Sequence, residues 1–416
     1  MSSYSTGYLK SRILDSANHR SKFRTEFKLD ENVVYMSDLK LCNVGAVSAG
    51  APFRLNKLVG THGVIERITL YDGRNKLDEV RRFDIYAGFK NTRHENENCE
   101  EIQQQLIRNR MGERYTSAYQ VNSLNASGQV TADVTTSALG TLNLRYCLPI
   151  LNALSVLPHS VFQNLRLEVE YHSDVRKFGA VDNIDFTNAD PILKVNKVED
   201  EVAMVKLMKT FESVAFNAIE HDEYTLGSLG NAGNGTNGGT AQPNSQKLNG
   251  FNGKNIQRMA LVKQYASMAN VNAFTGNTVQ GYGNSGSIVG CEETLQVRVN
   301  GANVLPSTYT GCNSLTALTN DTWNTQTSYP SSNNVNFGNV NTLVEGGTLR
   351  RGQLGYLGLF IGTDEPVQDL QIEYGRNALN HGNANLSVNQ ALKITVFCEI
   401  PKSFIFKNGE YNLVYN

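Results

Sequence analysis

The sequence predicts an all-β protein built as two tandem sandwiches, with short helices confined to loops. Three observations predict it. From residue 24 onward, short runs rich in Val, Ile, Tyr, Phe and Thr alternate with turn clusters, the texture of half-buried strands. Three short segments recur in the same order after roughly half the chain. With 416 residues, the chain is also too long for one ordinary domain and comfortable for two.

Residues 4–16 (YSTGYLKSRILDS) place Tyr4, Tyr8, Leu9 and Ile13 near one helical face. The spacing predicts a short helix that needs docking to be stable, within an N-terminal arm of residues 1–22. The clearest hairpin runs up residues 64–71, turns at Asp72-Gly73-Arg74-Asn75 and returns along 76–80. Asp-Gly supplies the positive φ that a tight turn demands. Residues 97–110 hold good helix formers, with Gly112 placed to end them. An apolar run over 148–157 and strands over 164–171 and 192–198 close the first half.

The segment EDEVAMVKLMKT at 199–210 passes from acidic to basic and marks the boundary between units at 23–205 and 206–416. The second unit opens with 211–219 and enters a Gly/Asn/Ser/Thr-rich loop at 226–255. Strands follow over 258–263 and 295–299, then a polar loop at 307–342 that carries the only tryptophan, Trp323. Runs at 354–361, 369–374 and 392–400 complete the chain. Loops this long inside a compact unit are usually functional or contact-forming.

The recurrences are specific. ITLYDGRNKL at 68–77 matches LQVRVNGANVL at 295–305, both a strand, an Asp/Asn-Gly turn and a returning strand. NLRLEVEY at 164–171 matches DLQIEY at 369–374, and LKVNKV at 193–198 matches LKITVF at 392–397. Two copies of one module explain order and offset together. Each copy has the strand candidates of an eight-stranded sandwich, and long uneven loops favour a jelly roll over an immunoglobulin-like sandwich.

Composition narrows the function. Hydrophobic residues make up 40% and charged residues 19%, which is globular and low in charge, as expected where much surface is buried between subunits. The formal net charge of −1 draws the chain to neither nucleic acid nor anionic membrane. The mildly basic start (Lys10, Arg12, Arg20, Lys22, Arg24, Lys28) is interspersed with Asp15, Glu26 and Asp30 and reads as a solvated segment, the alternative being an arm that faces genome or inner membrane. Cys42, Cys99, Cys147, Cys291, Cys312 and Cys398 form no C-x-x-C pair or zinc spacing, and Cys42, Cys147 and Cys398 lie in apolar runs, which fits a reducing compartment. No signal peptide and no membrane-length apolar stretch is expected.

No catalytic, cofactor-binding or metal-binding residue is expected. Gly281 to Gly286 matches G-x-G-x-x-G but sits in no βαβ unit, and Gly250 to Asn255 echoes a phosphate loop without its Ser/Thr. His19, His62, His94, His159, His172, His221 and His381 are dispersed, unlike the clustered ligands of a cupin enzyme. Asp182, Asp185 and Asp190 lack a full calcium loop, and Asp364-Glu365-Pro366 reads as a turn. Tyr282, Tyr309 and Trp323 keep open a glycan-binding tandem sandwich or adhesin, since sugars stack on such rings.

The chain resembles the double jelly-roll major capsid proteins of polinton-like viruses, virophages and related large double-stranded DNA viruses. The resemblance rests on YMSDLKL at 35–41, LVGTHGVIERITLYDG at 58–73, LRYCLPI at 144–150 leading through Leu157-Pro158 to LRLEVEY at 165–171, and the ending FCEIPK at 397–402. It implies a structural, non-enzymatic subunit of the virion capsid, assembled in the host cytoplasm or nucleus. It further implies pseudo-hexagonal homotrimers that tile an icosahedral shell beside penton and minor capsid proteins. No sequence-specific nucleic-acid contact is implied.

Overall fold

The computed structural model describes residues 9–15, 24–31, 33–47, 64–86, 137–157, 161–172, 191–198, 213–226, 244–265, 291–306, 309–310, 356–378, 392–407 and 410–415. The first half contributes β1 (Leu9–Asp15), β2 (Arg24–Lys28), β3 (Val34–Met36), β4 (Lys40–Val47), β5 (Ile65–Asp72), β6 (Asn75–Arg81) and β7 (Ser137–Asn143). Two short helices follow, α1 (Leu144–Cys147) and α2 (Pro149–Ala153), then β8 (Val156–Leu157), β9 (Leu165–Tyr171) and β10 (Ile192–Val198). The second half contributes β11 (Ser213–Leu226), β12 (Asn244–Lys247), β13 (Arg258–Tyr265), β14 (Cys291–Val299), β15 (Ala302–Asn303) and β16 (Tyr309–Thr310). It ends with β17 (Tyr356–Phe360), β18 (Leu370–Ala378), β19 (Leu392–Lys407) and β20 (Glu410–Tyr415).

Each half makes two antiparallel sheets, and the strand orders correspond. In the first half, β1-β10-β4-β7 form one sheet, extended by β3 and β8, and β2-β9-β5-β6 form the other. In the second half the sheets run β11-β19-β13-β17, with β20 on β19, and β12-β18-β14-β15, with β16 on β14. Strand for strand this is one eight-stranded jelly-roll frame used twice, with short extra strands. The three sequence recurrences fall on equivalent strands: β5–β6 with β14–β15, β9 with β18, and β10 with β19.

Alternation explains the layering. In β9, Leu165, Leu167 and Val169 turn into the sandwich, where Phe27, Ile68 and Leu70 meet Leu41, Val44, Leu193 and Val195 of the facing sheet. Arg166, Glu168 and Glu170 take the outer positions, where Arg24 bonds Glu168, Arg67 bonds Glu170 and Tyr71 lies under Arg166. The second sandwich closes in the same way, with Met259, Leu261, Ile394 and Val396 against Leu295, Val297, Leu370 and Ile372.

The two hairpin turns differ in backbone but are anchored alike. Asn300 (φ 51°) and Gly301 (φ 81°) both occupy the left-handed region, as a two-residue hairpin loop requires. The Asn300 side-chain oxygen accepts from Gln368 N at 2.7 Å and Asp369 N at 3.1 Å. In the first half, Asp72 Oδ1 accepts from Asn164 N at 2.8 Å, and Gly73 N donates to Asn164 O at 2.8 Å. The residue before glycine thus fixes the turn to the neighbouring strand in both copies.

Two expectations change. Residues 9–15 are not helical: β1 pairs along its whole length with β10, from Leu9 opposite Val198 to Asp15 opposite Ile192. A free sheet edge supplies hydrogen bonds to every second residue, which outweighs the weak helical face of so short a segment. Within the expected loop 226–255, residues 244–247 form β12, and Asn249–Phe251 make a 3-10 turn that buries Phe251. The helix expected over 97–110, the Gly281–Gly286 loop and the Asp182, Asp185 and Asp190 cluster lie outside the described residues.

Candidate functional site at the junction of the two units

The junction combines apolar packing with a few buried charges. One core cluster runs without a break from the first sandwich into Val214, Phe216, Ala218, Ile219, Phe397 and Phe404 of the second half. Phe404 stacks on Phe216, with ring centroids 5.7 Å apart, and meets Phe162 and Tyr411 edge-on at 6.4 and 5.4 Å. Phe162 also packs on Phe406, and Tyr86 tilts onto Phe397 at 5.3 Å. Aromatic pairs in such geometries add to the stabilisation from buried area.

Polar groups line this contact. Arg82 bonds Glu223 of β11 and lies 3.3 Å from Asp84. His172 Nε2 is 3.2 Å from Asp84 Oδ2. Burial alone would raise the Asp84 pKa, but the positive charge of Arg82 and the neighbouring His172 outweigh it and hold the carboxyl well below its ordinary range. Asp78, on β6, is buried and accepts from Ile150 N at 3.0 Å and Glu79 N at 2.9 Å. Its desolvation outweighs these bonds and pushes its pKa from 3.8 up to about 6.

Beside the packed patch lies a cleft of about 370 Å³, lined by both units. Lys76, Asp78, Glu79 and Arg81 come from the first, and Glu220, His221, Lys254 and Lys402 from the second, with Leu413 and Tyr415 of β20 beside them. Glu79 Oε2 lies 2.6 Å from Lys76 Nζ, and Glu79 Oε1 lies 2.6 Å from Arg81 Nε. Glu220 lies 2.5 Å from Lys254 Nζ and 3.0 Å from Lys402 Nζ. In both glutamates these cations outweigh desolvation and lower the pKa.

Cys147 and Cys398 are buried thiols, and burial pushes the Cys398 thiol well above its usual pKa, the opposite of an activated nucleophile. Cys42 is free and half-buried. Gly250 to Asn255 does not cradle an anion: Gly250 N donates to Asp222 Oδ2 at 3.3 Å, and Lys254 Nζ turns to Gly250 O and Glu220. Asp364 and Glu365 sit at an exposed bend. His221 packs on Phe397, and burial lowers its pKa. His19, His62, His94, His159 and His381 lie outside the described residues, as do Tyr282 and Trp323; Tyr309 lies on β16. Among the described residues no group of three or more His, Cys, Asp or Glu could hold a metal ion. Among them, too, no helix is long and apolar enough to cross a membrane.

The sequence reading missed the junction itself. One signal could have exposed part of it: Asp78 lies opposite Leu70 in the hairpin, at an inward strand position where alternation calls for an apolar residue.

No family model matches this chain, and no curated protein matches it. Solved structures do. The crystal structure of PBCV-1 VP54, fitted into a reconstruction of the virophage Sputnik, matches with a TM-score of 0.59 at 9% identity, over 98% of this chain and 97% of that one. The Faustovirus major capsid protein matches with a TM-score of 0.55 at 9% identity, over 96% and 90%. The mavirus major capsid protein matches with a TM-score of 0.53 at 8% identity, over 97% and 90%. At these identities the likeness establishes the fold: this chain is a double jelly roll of the kind found in viral major capsid proteins.

Proposed function

We propose that this chain is a structural subunit of a viral capsid, the major capsid protein, and has no enzymatic role. The observation that carries the reading is the extent of the likeness: both jelly rolls, in tandem, over 98% of this chain and 97% of VP54. A fold shared over one sandwich would be compatible with many functions. A tandem pair joined by a continuous apolar core fits a rigid tile better than a binding module.

In this reading the units span 23–205 and 206–416, and β1 from the arm of residues 1–22 completes the first. Three subunits place six similar sandwiches around one axis, so near-equivalent contacts repeat across a lattice. The capsomer is then a pseudo-hexagonal homotrimer of an icosahedral shell, set beside penton and minor capsid proteins in the virion and assembled inside the host cell. Negative-stain electron microscopy of the purified protein tests this: six-lobed particles with threefold symmetry are expected. A field of single two-lobed particles at every concentration would overturn it.

A further inference from the structure

We propose that the cleft between the two jelly rolls binds a small multivalent anion of the phosphate type, which bridges the units. The proposal concerns a site within one chain and does not depend on the capsid reading. Four cations line the cleft, Lys76 and Arg81 from one unit and Lys254 and Lys402 from the other. Against them stand Glu79, Glu220 and Asp78.

These three acids are not equivalent. Glu79 and Glu220 are each held between two of the cations, so each cation pair exceeds its own glutamate by one charge. Asp78 is buried, with its oxygens engaged by the backbone N–H groups of Ile150 and Glu79. His221 adds no charge near neutrality, because its pKa lies below the ordinary histidine value. Among the described residues one net positive charge therefore remains in the cleft, with two cation pairs drawn from opposite units. Concave walls of low dielectric focus such a field. The volume of about 370 Å³ admits a compact di- or triphosphate with its water and leaves little space for a polymer strand.

The geometry selects a multivalent ligand. A monovalent anion matches the net charge but reaches one cation pair, whereas a diphosphate can accept charge-assisted hydrogen bonds from both pairs at once. Binding would tie β6 of the first unit to Lys402 of β19 and the Lys254 turn of the second, and so stabilise the junction by mass action.

The test is isothermal titration calorimetry of the full chain with inorganic pyrophosphate, with ionic strength held constant by sodium chloride. One saturable site per chain is expected. The double variant Lys254→Gln, Lys402→Gln should weaken it by about tenfold or more, and Glu220→Gln should tighten it by about threefold. The tightening arm cannot be mimicked by misfolding. An absent or non-saturating heat overturns the proposal, as does unchanged affinity in both variants. Single-stranded DNA that displaces pyrophosphate at equal affinity per phosphate would overturn the assignment to a small anion.

Discussion

Asp78 should make the first jelly roll more stable in mild acid than at neutral pH. Burial pushes its pKa from 3.8 to about 6, against the pull of the Ile150 and Glu79 N–H groups and Lys402. The folded state therefore holds this proton more tightly than the unfolded chain does. The stabilisation is fully present below about pH 3.8 and is lost as pH rises through 6. A displacement of about two pH units corresponds to about 3 kcal/mol in all, of which about 1 kcal/mol is lost between pH 5 and pH 7. Asp78→Asn removes the titration while keeping the shape. Scanning calorimetry of both proteins at pH 5, 6 and 7 isolates the effect, because other groups titrate equally in each. The wild-type melting temperature should fall relative to the variant by about 2 °C from pH 5 to pH 7. Parallel curves, or a wild type that gains on the variant as pH rises, would refute the reasoning. Either result would mean that Lys402 holds Asp78 ionised as a buried ion pair.

Three further outcomes follow from the junction and the turns. Phe404→Ala removes a buried ring that touches Phe216, Phe162 and Tyr411, and should cost about 3–5 kcal/mol; denaturant titration should show the two halves unfolding in separate steps. Arg82→Ala leaves Asp84 and Glu223 without their shared cation and should cost about 3 kcal/mol, measured by the same titration. Its loss should be greatest near neutral pH, since a carboxylate with a depressed pKa gives stability above its unfolded pKa and loses it as pH falls. Gly301→Ala forces a side chain onto φ 81° and should cost about 1–2 kcal/mol in a thermal melt, although nothing lies within 4 Å to clash with it.

Much of the frame was legible because it is local. Asp72-Gly73 and Asn300-Gly301 announce their hairpins, and the strict alternation of LRLEVEY at 165–171 announces an amphipathic strand. The duplication was legible because three matched segments kept their order, and each now occupies the same position in its sandwich. The strand at 9–15 was not legible because its register comes from β10, about 180 residues away, and not from its own periodicity. The junction was invisible for the same reason. Phe162 meets Phe404, Asp78 sits near Lys402 and Arg82 meets Glu223 only once both sandwiches are folded. Pairs this far apart leave no spacing in a single sequence.

The most direct measurement is the mass of the purified chain by light scattering after gel filtration, over a range of concentrations. A capsid subunit of this fold should give a stable species near three times the chain mass of 45.9 kDa that resists dilution. A monomer that persists at every concentration would contradict the preassembled capsomer and leave the double jelly roll in need of another function.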